Sequence, residues 1–405
     1  MKIKLNDKWT IKTAKELYTY TSGISKGSQF FGTGYPYLTF TEIFHNYFVP
    51  EVLTSLVQSN ERERENCSIK RGDVFLTRTS ETDDELGMSC VALKDYPNAT
   101  FNGFTKRLRP LTDEVVPEYA GFYFRSPIFR AAVTSMSSII TRASLNEKML
   151  DKLPICYPSK PIQQKIASIL SAYDNLIQNY KKQIEALQTV ASELYKEWFV
   201  RFRFPGWQNA KIENGIPEEW KVEKLFDVAK IIYGYPFNSD EFCDDNSLNP
   251  VVRIRDILDN HTDTYTSEFC DEKYWINPNE MLIGMDGIFH MTLWTGERAL
   301  QNQRTVRVTS KIKNLSNYYL YFSLYPQIKA LEQMIVGTTV AHLGDKHLKK
   351  ITILVPEDKI LKMSYERFEP MMNRIYSLQQ QITNLTQQRD LLLPRLMSGK
   401  LEVLK

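Results

Sequence analysis

Between Ile162 and Trp198 the apolar residues Ile162, Ile166, Ile169, Tyr173, Ile177, Tyr180, Ile184, Leu187, Ala191, Leu194 and Trp198 recur at spacings of three and four. That rhythm draws one apolar stripe along a long helix, and neither proline nor glycine interrupts it up to Val200. Two successive four-residue steps, Ile169 to Tyr173 to Ile177, form a stutter at which a supercoil should relax. A helix of about 40 residues is roughly 60 Å long and cannot bury such a stripe alone. A matching stripe lies near the C-terminus at Phe368, Met371, Ile375, Leu378, Ile382, Leu385, Leu392 and Leu396, with Arg389 the one polar residue at a seam position. The two helices are expected to pair, with Ile177, Tyr180, Ile184, Leu187 and Leu194 of the first and Ile375, Leu378, Ile382, Leu385 and Leu392 of the second in the coiled-coil seam.

The chain also repeats itself. Residues 141–158 align without gaps to residues 339–356, with identity at Thr141/Thr339, Ala143/Ala341, Leu145/Leu343, Lys148/Lys346, Leu150/Leu348, Lys152/Lys350, Ile155/Ile353 and Pro158/Pro356. The same offset carries Ile177, Ile184 and Leu187 onto Ile375, Ile382 and Leu385. Upstream, the segment from Ile69 faces that from Ile276, Tyr37–Phe44 resembles Val251–Leu258, and Trp9 and Trp220 each open a half. A unit made of a globular domain followed by a long helix therefore occurs twice. Each half reads as mixed α and β: strands near 36–41, 73–77 and 152–157 with a helix over 118–135, then strands near 251–254, 281–283 and 350–355 with a helix over 315–335. The expected boundaries are 1–157, 158–204, 205–356 and 357–405.

No run of about 18 uncharged apolar residues exists and the N-terminal MKIKLNDKW has no apolar core, so a cytoplasmic protein with no membrane partner is expected. Five widely spaced cysteines, none in a C-x-x-C pair, argue against a disulfide framework or a zinc site. Residues 205–356 carry 16 basic and 20 acidic groups, so any nucleic-acid surface must be local.

Catalytic fingerprints are missing: there is no phosphate loop, no H-E-x-x-H and no G-x-S-x-G. The five histidines have no metal-ligand spacing, and the acidic runs Asp83-Asp84-Glu85 and Asp244-Asp245 read as solvated loop tips. Neither catalysis nor a bound cofactor is expected. Local basic and aromatic clusters suit contact with DNA better. Arg78, Thr79, Ser80 and Thr82 lie on a loop after a strand, where arginine can meet guanine and hydroxyls can meet phosphate. Lys106, Arg107 and Arg109 form a second cluster, and Arg298, Arg304, Arg307, Lys311 and Lys313 a third. Tyr233 and Tyr235 flank a turn, Arg253 and Arg255 alternate on a strand, and His290 completes the set. Solvated strand faces and loop arginines are the plain alternative for any one of them.

Three motifs carry a family resemblance: Glu193-Leu-Tyr-Lys-Glu-Trp-Phe-Val-Arg-Phe202, the C-terminal Leu391-Leu-Leu-Pro-Arg-Leu-Met-Ser-Gly-Lys-Leu-Glu402, and the Pro-x-x-x-x-Gln-x-Lys-Ile pattern over 158–166. They resemble the specificity subunit of type I restriction-modification enzymes over the whole chain. The second helix departs from the pattern, with Lys359-Ile-Leu-Lys-Met363 in place of the glutamine-containing stretch. The resemblance implies an α+β protein of two similar target recognition domains and two long helices in an antiparallel coiled coil, with pseudo-twofold symmetry. It implies a non-catalytic subunit that reads bipartite double-stranded DNA, one domain per half-site. It also implies that the helices dock two modification subunits, adenine-N6 methyltransferases, and that restriction or translocase subunits join the full complex. The competing readings are a coiled-coil scaffold that binds other proteins without reading DNA, and a chain with its own nuclease or methyltransferase activity.

Overall fold

The computed structural model describes residues 9–80, 85–136, 143–335 and 341–403. The chain divides into two compact units, Met1–Leu176 with Leu385–Lys405 and Ile177–Asn384. Each unit combines one globular region with a piece of both long helices.

The first unit is built on an antiparallel sheet of β1 (Tyr18–Ser22), β2 (Val74–Thr77), β3 (Ser89–Val91) and β4 (Thr105–Pro110), in the order β1-β4-β2-β3. The second contains β5 (Ala229–Tyr233), β6 (Met281–Gly284), β7 (Met291–Leu293) and β8 (Thr305–Ser310), in the order β5-β8-β6-β7. The two orders are the same. The pairing of Thr10–Thr13 with Pro154–Tyr157 recurs as Lys221–Lys224 with Thr352–Val355. A short parallel pair, Tyr37–Leu38 beside Thr100–Phe101, recurs as Val251–Val252 beside Leu300–Gln301. The duplication read from residues 141–158 thus extends to strands with little sequence identity.

One expected helix is broken. Residues 118–135 form two helices, Pro117–Tyr123 and Pro127–Met136, because Pro127 disfavours a helical conformation at Ser126 and is itself suited to open a new first turn. In the second unit the helix Asn317–Ile335 continues through Pro326.

The central helix spans Lys160–Tyr195 and the C-terminal helix Asp358–Met397. In the first unit Ile166, Ala167 and Leu170, from the start of the central helix, share a core with Leu393, Leu396 and Met397, from the end of the other. In the second unit Ala191 shares a core with Phe368, Met372 and Ile375. The start of one helix meets the end of the other, so the pair runs antiparallel. Of the expected seam residues, Ile177, Ile375, Leu378 and Ile382 are buried, whereas Tyr180, Ile184, Leu187, Leu194, Leu385 and Leu392 are half-buried. Arg389 is answered by Asp174, at 2.6 Å, with the Tyr47 ring 5.5 Å from its guanidinium. A cation at a seam position is tolerable because a carboxylate and an aromatic face meet it there.

The family-like motifs turn out to be anchors. A π-helical turn at Lys196–Val200 ends the central helix and directs Trp198 and Phe199 into the second core, with Phe199 against Tyr319 at 4.6 Å. At the start of that helix the fully buried Gln163 accepts from the Val116 N–H at 2.8 Å and donates to the carbonyls of Glu114 and Pro158. The residue at the same offset in the second half is Leu361, buried among apolar neighbours, so the departure from the motif exchanges a polar clasp for an apolar one. Gln163→Ala should therefore cost about 2–3 kcal/mol, because it strands three buried backbone groups; a melt within 0.5 kcal/mol of wild type, roughly the scatter of neutral surface changes, would contradict the clasp. No described helix is long and apolar enough to cross a membrane.

Candidate nucleic-acid interface

The basic strand residues expected to meet DNA are largely engaged inside the protein. Arg107 and Arg307 occupy corresponding places on the inner strands β4 and β8, opposite Thr21 and Phe75 in one sheet and Ile232 and Leu282 in the other. They are 5% and 4% exposed. Arg107 donates to the Ser68 carbonyl at 2.6 Å and to that of Asn66 at 3.2 Å. Arg307 donates to the carbonyls of Trp275 and Lys273 and to the Glu280 carboxylate at 2.5 Å. Burial, then the neighbouring charge of Arg109, lowers the Arg107 pKa. Arg109 forks onto the fully buried Asp73 at 2.8 and 2.7 Å. Lys106 reaches Glu147 at 2.7 Å and holds that carboxyl below its usual range. These four cations clasp strands and loops, and the expectation that they face a duplex gives way to that role.

The remaining candidates are spread out. Arg78 is half-buried, with its backbone tied to Phe104 and Leu145. Thr79 and Ser80 form a short strand paired with Ala143 and Ser144, and Thr82 lies outside the described residues. Tyr235 meets Phe237 edge-on at 4.8 Å and Tyr274 at a tilt at 5.2 Å, inside a small aromatic cluster. Arg253 bonds Asp256 at 3.2 Å, while Arg255 stays exposed with the same carboxylate at 3.6 Å. Arg298 pairs with Glu272 and lies over the Trp275 ring at 4.4 Å. The half-buried His290 accepts at its backbone carbonyl from the Gly284 N–H at 2.7 Å.

One place in each unit gathers such residues on a rigid support. The turn Asn102–Thr105 opens β4 and the turn Asn302–Thr305 opens β8, each closed by a threonine hydroxyl donating to the asparagine carbonyl, at 2.6 and 2.7 Å. The carbonyl of Phe104 accepts from the Arg78 N–H at 3.1 Å, and that of Arg304 from the Met285 N–H at 2.9 Å. The carbonyls of Arg78 and Met285 accept in turn from Leu145 and Leu343, one of the identical pairs of the repeat. Gly23 and Gly234 come so close to these turns that a Cβ on either would clash with the carbonyl of Asn102 or Asn302. Around the second turn Asp286 meets His342 at 2.6 Å and Arg304 at 3.5 Å. Tyr233 donates to Asp345 at 2.8 Å, and Lys349 pairs with the same carboxylate at 2.5 Å. Burial, then that carboxylate, pushes the Tyr233 hydroxyl above its ordinary pKa. Lys346 and Lys350 lie next to this group in sequence. Phe104 and Asp286 were not among the expected residues. The recurrence of Asn-x-x-Thr at 102–105 and 302–305 was the available signal.

Comparison with known proteins places the chain. Residues 6–189 and 217–387 match the model of the type I restriction modification DNA specificity domain. The MjaIX type I restriction enzyme specificity subunit of Methanocaldococcus jannaschii is 27% identical over 423 residues, 99% of this chain and 95% of that protein. The EcoBI specificity subunit of Escherichia coli is 29% identical over 172 residues, 42% of this chain and 36% of that protein. The crystal structure of a type I restriction-modification S subunit from M. genitalium superposes with a TM-score of 0.60 at 13% identity, covering 97% of this chain and 96% of that one, and so shares its fold.

Proposed function

The chain belongs to the type I restriction-modification specificity subunits, which recognise a DNA target as part of a larger complex, and we propose that it reads a bipartite duplex without itself cutting or methylating it. In this reading residues 1–157 take one half-site and residues 205–356 the other. The helices at 158–204 and 357–405 dock two adenine-N6 modification subunits, to which restriction or translocase subunits add. The observation that carries the reading is the repetition of one sheet, with one hydrogen-bonded turn opening the same inner strand, in both units. Two like readers on one chain suit the two halves of a bipartite target, and two copies of one helix offer equivalent surfaces to two copies of one partner. The helices, at 1.5 Å per residue, are long enough to reach about one and a half turns of duplex.

Binding of the full chain to mixed-sequence duplex DNA tests this against the protein-scaffold alternative. Phosphate contacts make the logarithm of affinity fall by about 0.9 per contact for each tenfold rise in salt. A steep fall between low and physiological salt is expected; no binding, or binding indifferent to salt, favours the scaffold.

A further inference from the structure

We propose that the apex of the duplicated turn is the base-reading position of each domain, with Arg304 reading guanine in the second half-site and Phe104 contacting a thymine methyl in the first. This rests on the DNA-reading function given above and names the residues that perform it.

Arg304 is held at a φ of 67°, in the left-handed region. Among the described residues the other non-glycine positions with positive φ are asparagines, except Phe202. Asparagine and glycine accept that conformation readily, and a long side chain does so only against strain. Its side chain contributes little inside the protein in return: it is 60% exposed, and the 3.5 Å contact with Asp286 is a loose surface pair. Arg307, three residues on, shows the opposite arrangement, with its guanidinium buried and bonded. Strain borne by an exposed side chain on a rigid turn is accounted for by a contact outside the chain.

The chemistry follows from the residue. A guanidinium can donate two hydrogen bonds to guanine O6 and N7 in the major groove. The corresponding residue of the first domain, Phe104, is 59% exposed and bears no side-chain donor. Only apolar contact is open to it, and the thymine methyl is the apolar feature of the major groove. The two half-sites therefore differ in kind although their readers share one fold.

The test uses the full-length chain, a library of randomised duplexes, and sequencing of the retained fraction. Wild type should select two blocks, one with a guanine that Arg304→Gly loses by about 10- to 100-fold at that position alone. Glycine accepts the left-handed φ freely, so Arg304→Gly should melt at or above wild type, and loss of reading cannot be put down to misfolding. Phe104→Ala should relax a thymine in the other block only. An unchanged selection by Arg304→Gly, an even loss at every position, or a lower melting temperature with both blocks lost would each overturn the assignment. A wild-type chain that selects nothing would instead overturn the functional reading on which it rests.

Discussion

Arg307→Ala should destabilise the second unit by about 3–5 kcal/mol, the cost of removing one partner from a buried charged network. The side chain is nearly inaccessible, and its loss strands the carbonyls of Trp275 and Lys273 together with the Glu280 carboxylate. Arg107→Ala should behave alike in the first unit, where Asn66 and Ser68 lose their donor. The exposed Arg255→Ala, by contrast, should stay within about 0.5 kcal/mol of wild type. Denaturant melts of the three variants decide the matter. If Arg307→Ala melted like Arg255→Ala, the guanidinium would not be holding the strand and its place as a DNA contact would reopen.

The helix pair should be similarly sensitive, but unevenly along its length. Leu378 is fully buried, so Leu378→Asp should cost about 4 kcal/mol or more through lost apolar burial and an unpaired charge in the seam. Ile184 and Leu187 are only half-buried, and the same substitution there should cost roughly half as much, because water reaches the new carboxylate. Asp174→Ala would leave Arg389 in the seam with Asp390 and Tyr47, an intermediate loss. Thermal melts should rank the variants with Leu378→Asp lowest. Equal effects at positions 184 and 378 would mean that the seam is not where these burials put it.

The helices and the duplication were legible because their signals are local or periodic. A stripe at spacings of three and four survives any detail of packing, and the Thr141–Pro158 segment kept enough identity to be matched. The inner strands were not legible. Thr105–Pro110 carries three cations in six residues and reads as a surface open to DNA or solvent, yet it lies inside a sheet. It can do so because partners far away in sequence, Asp73, Ser68 and Glu147, receive those cations. Burial paired in this way leaves no trace in composition. The same limit applies at the interface: sequence gave Arg304 and Arg307 equal standing, and only the turn that exposes one and the sheet that buries the other separate them. Asp174 escaped notice as well, since a single carboxylate beside the stutter has no signature until Arg389 faces it.

The central claim is that each domain reads its own half of the target. Exchanging residues 217–350 for the matching segment of a relative with a different target, then mapping adenine methylation by the assembled complex, tests it directly. The account predicts that one block of the methylated sequence changes to the donor's and the other block stays as it was. Methylation in which both blocks change, or neither does, would contradict it.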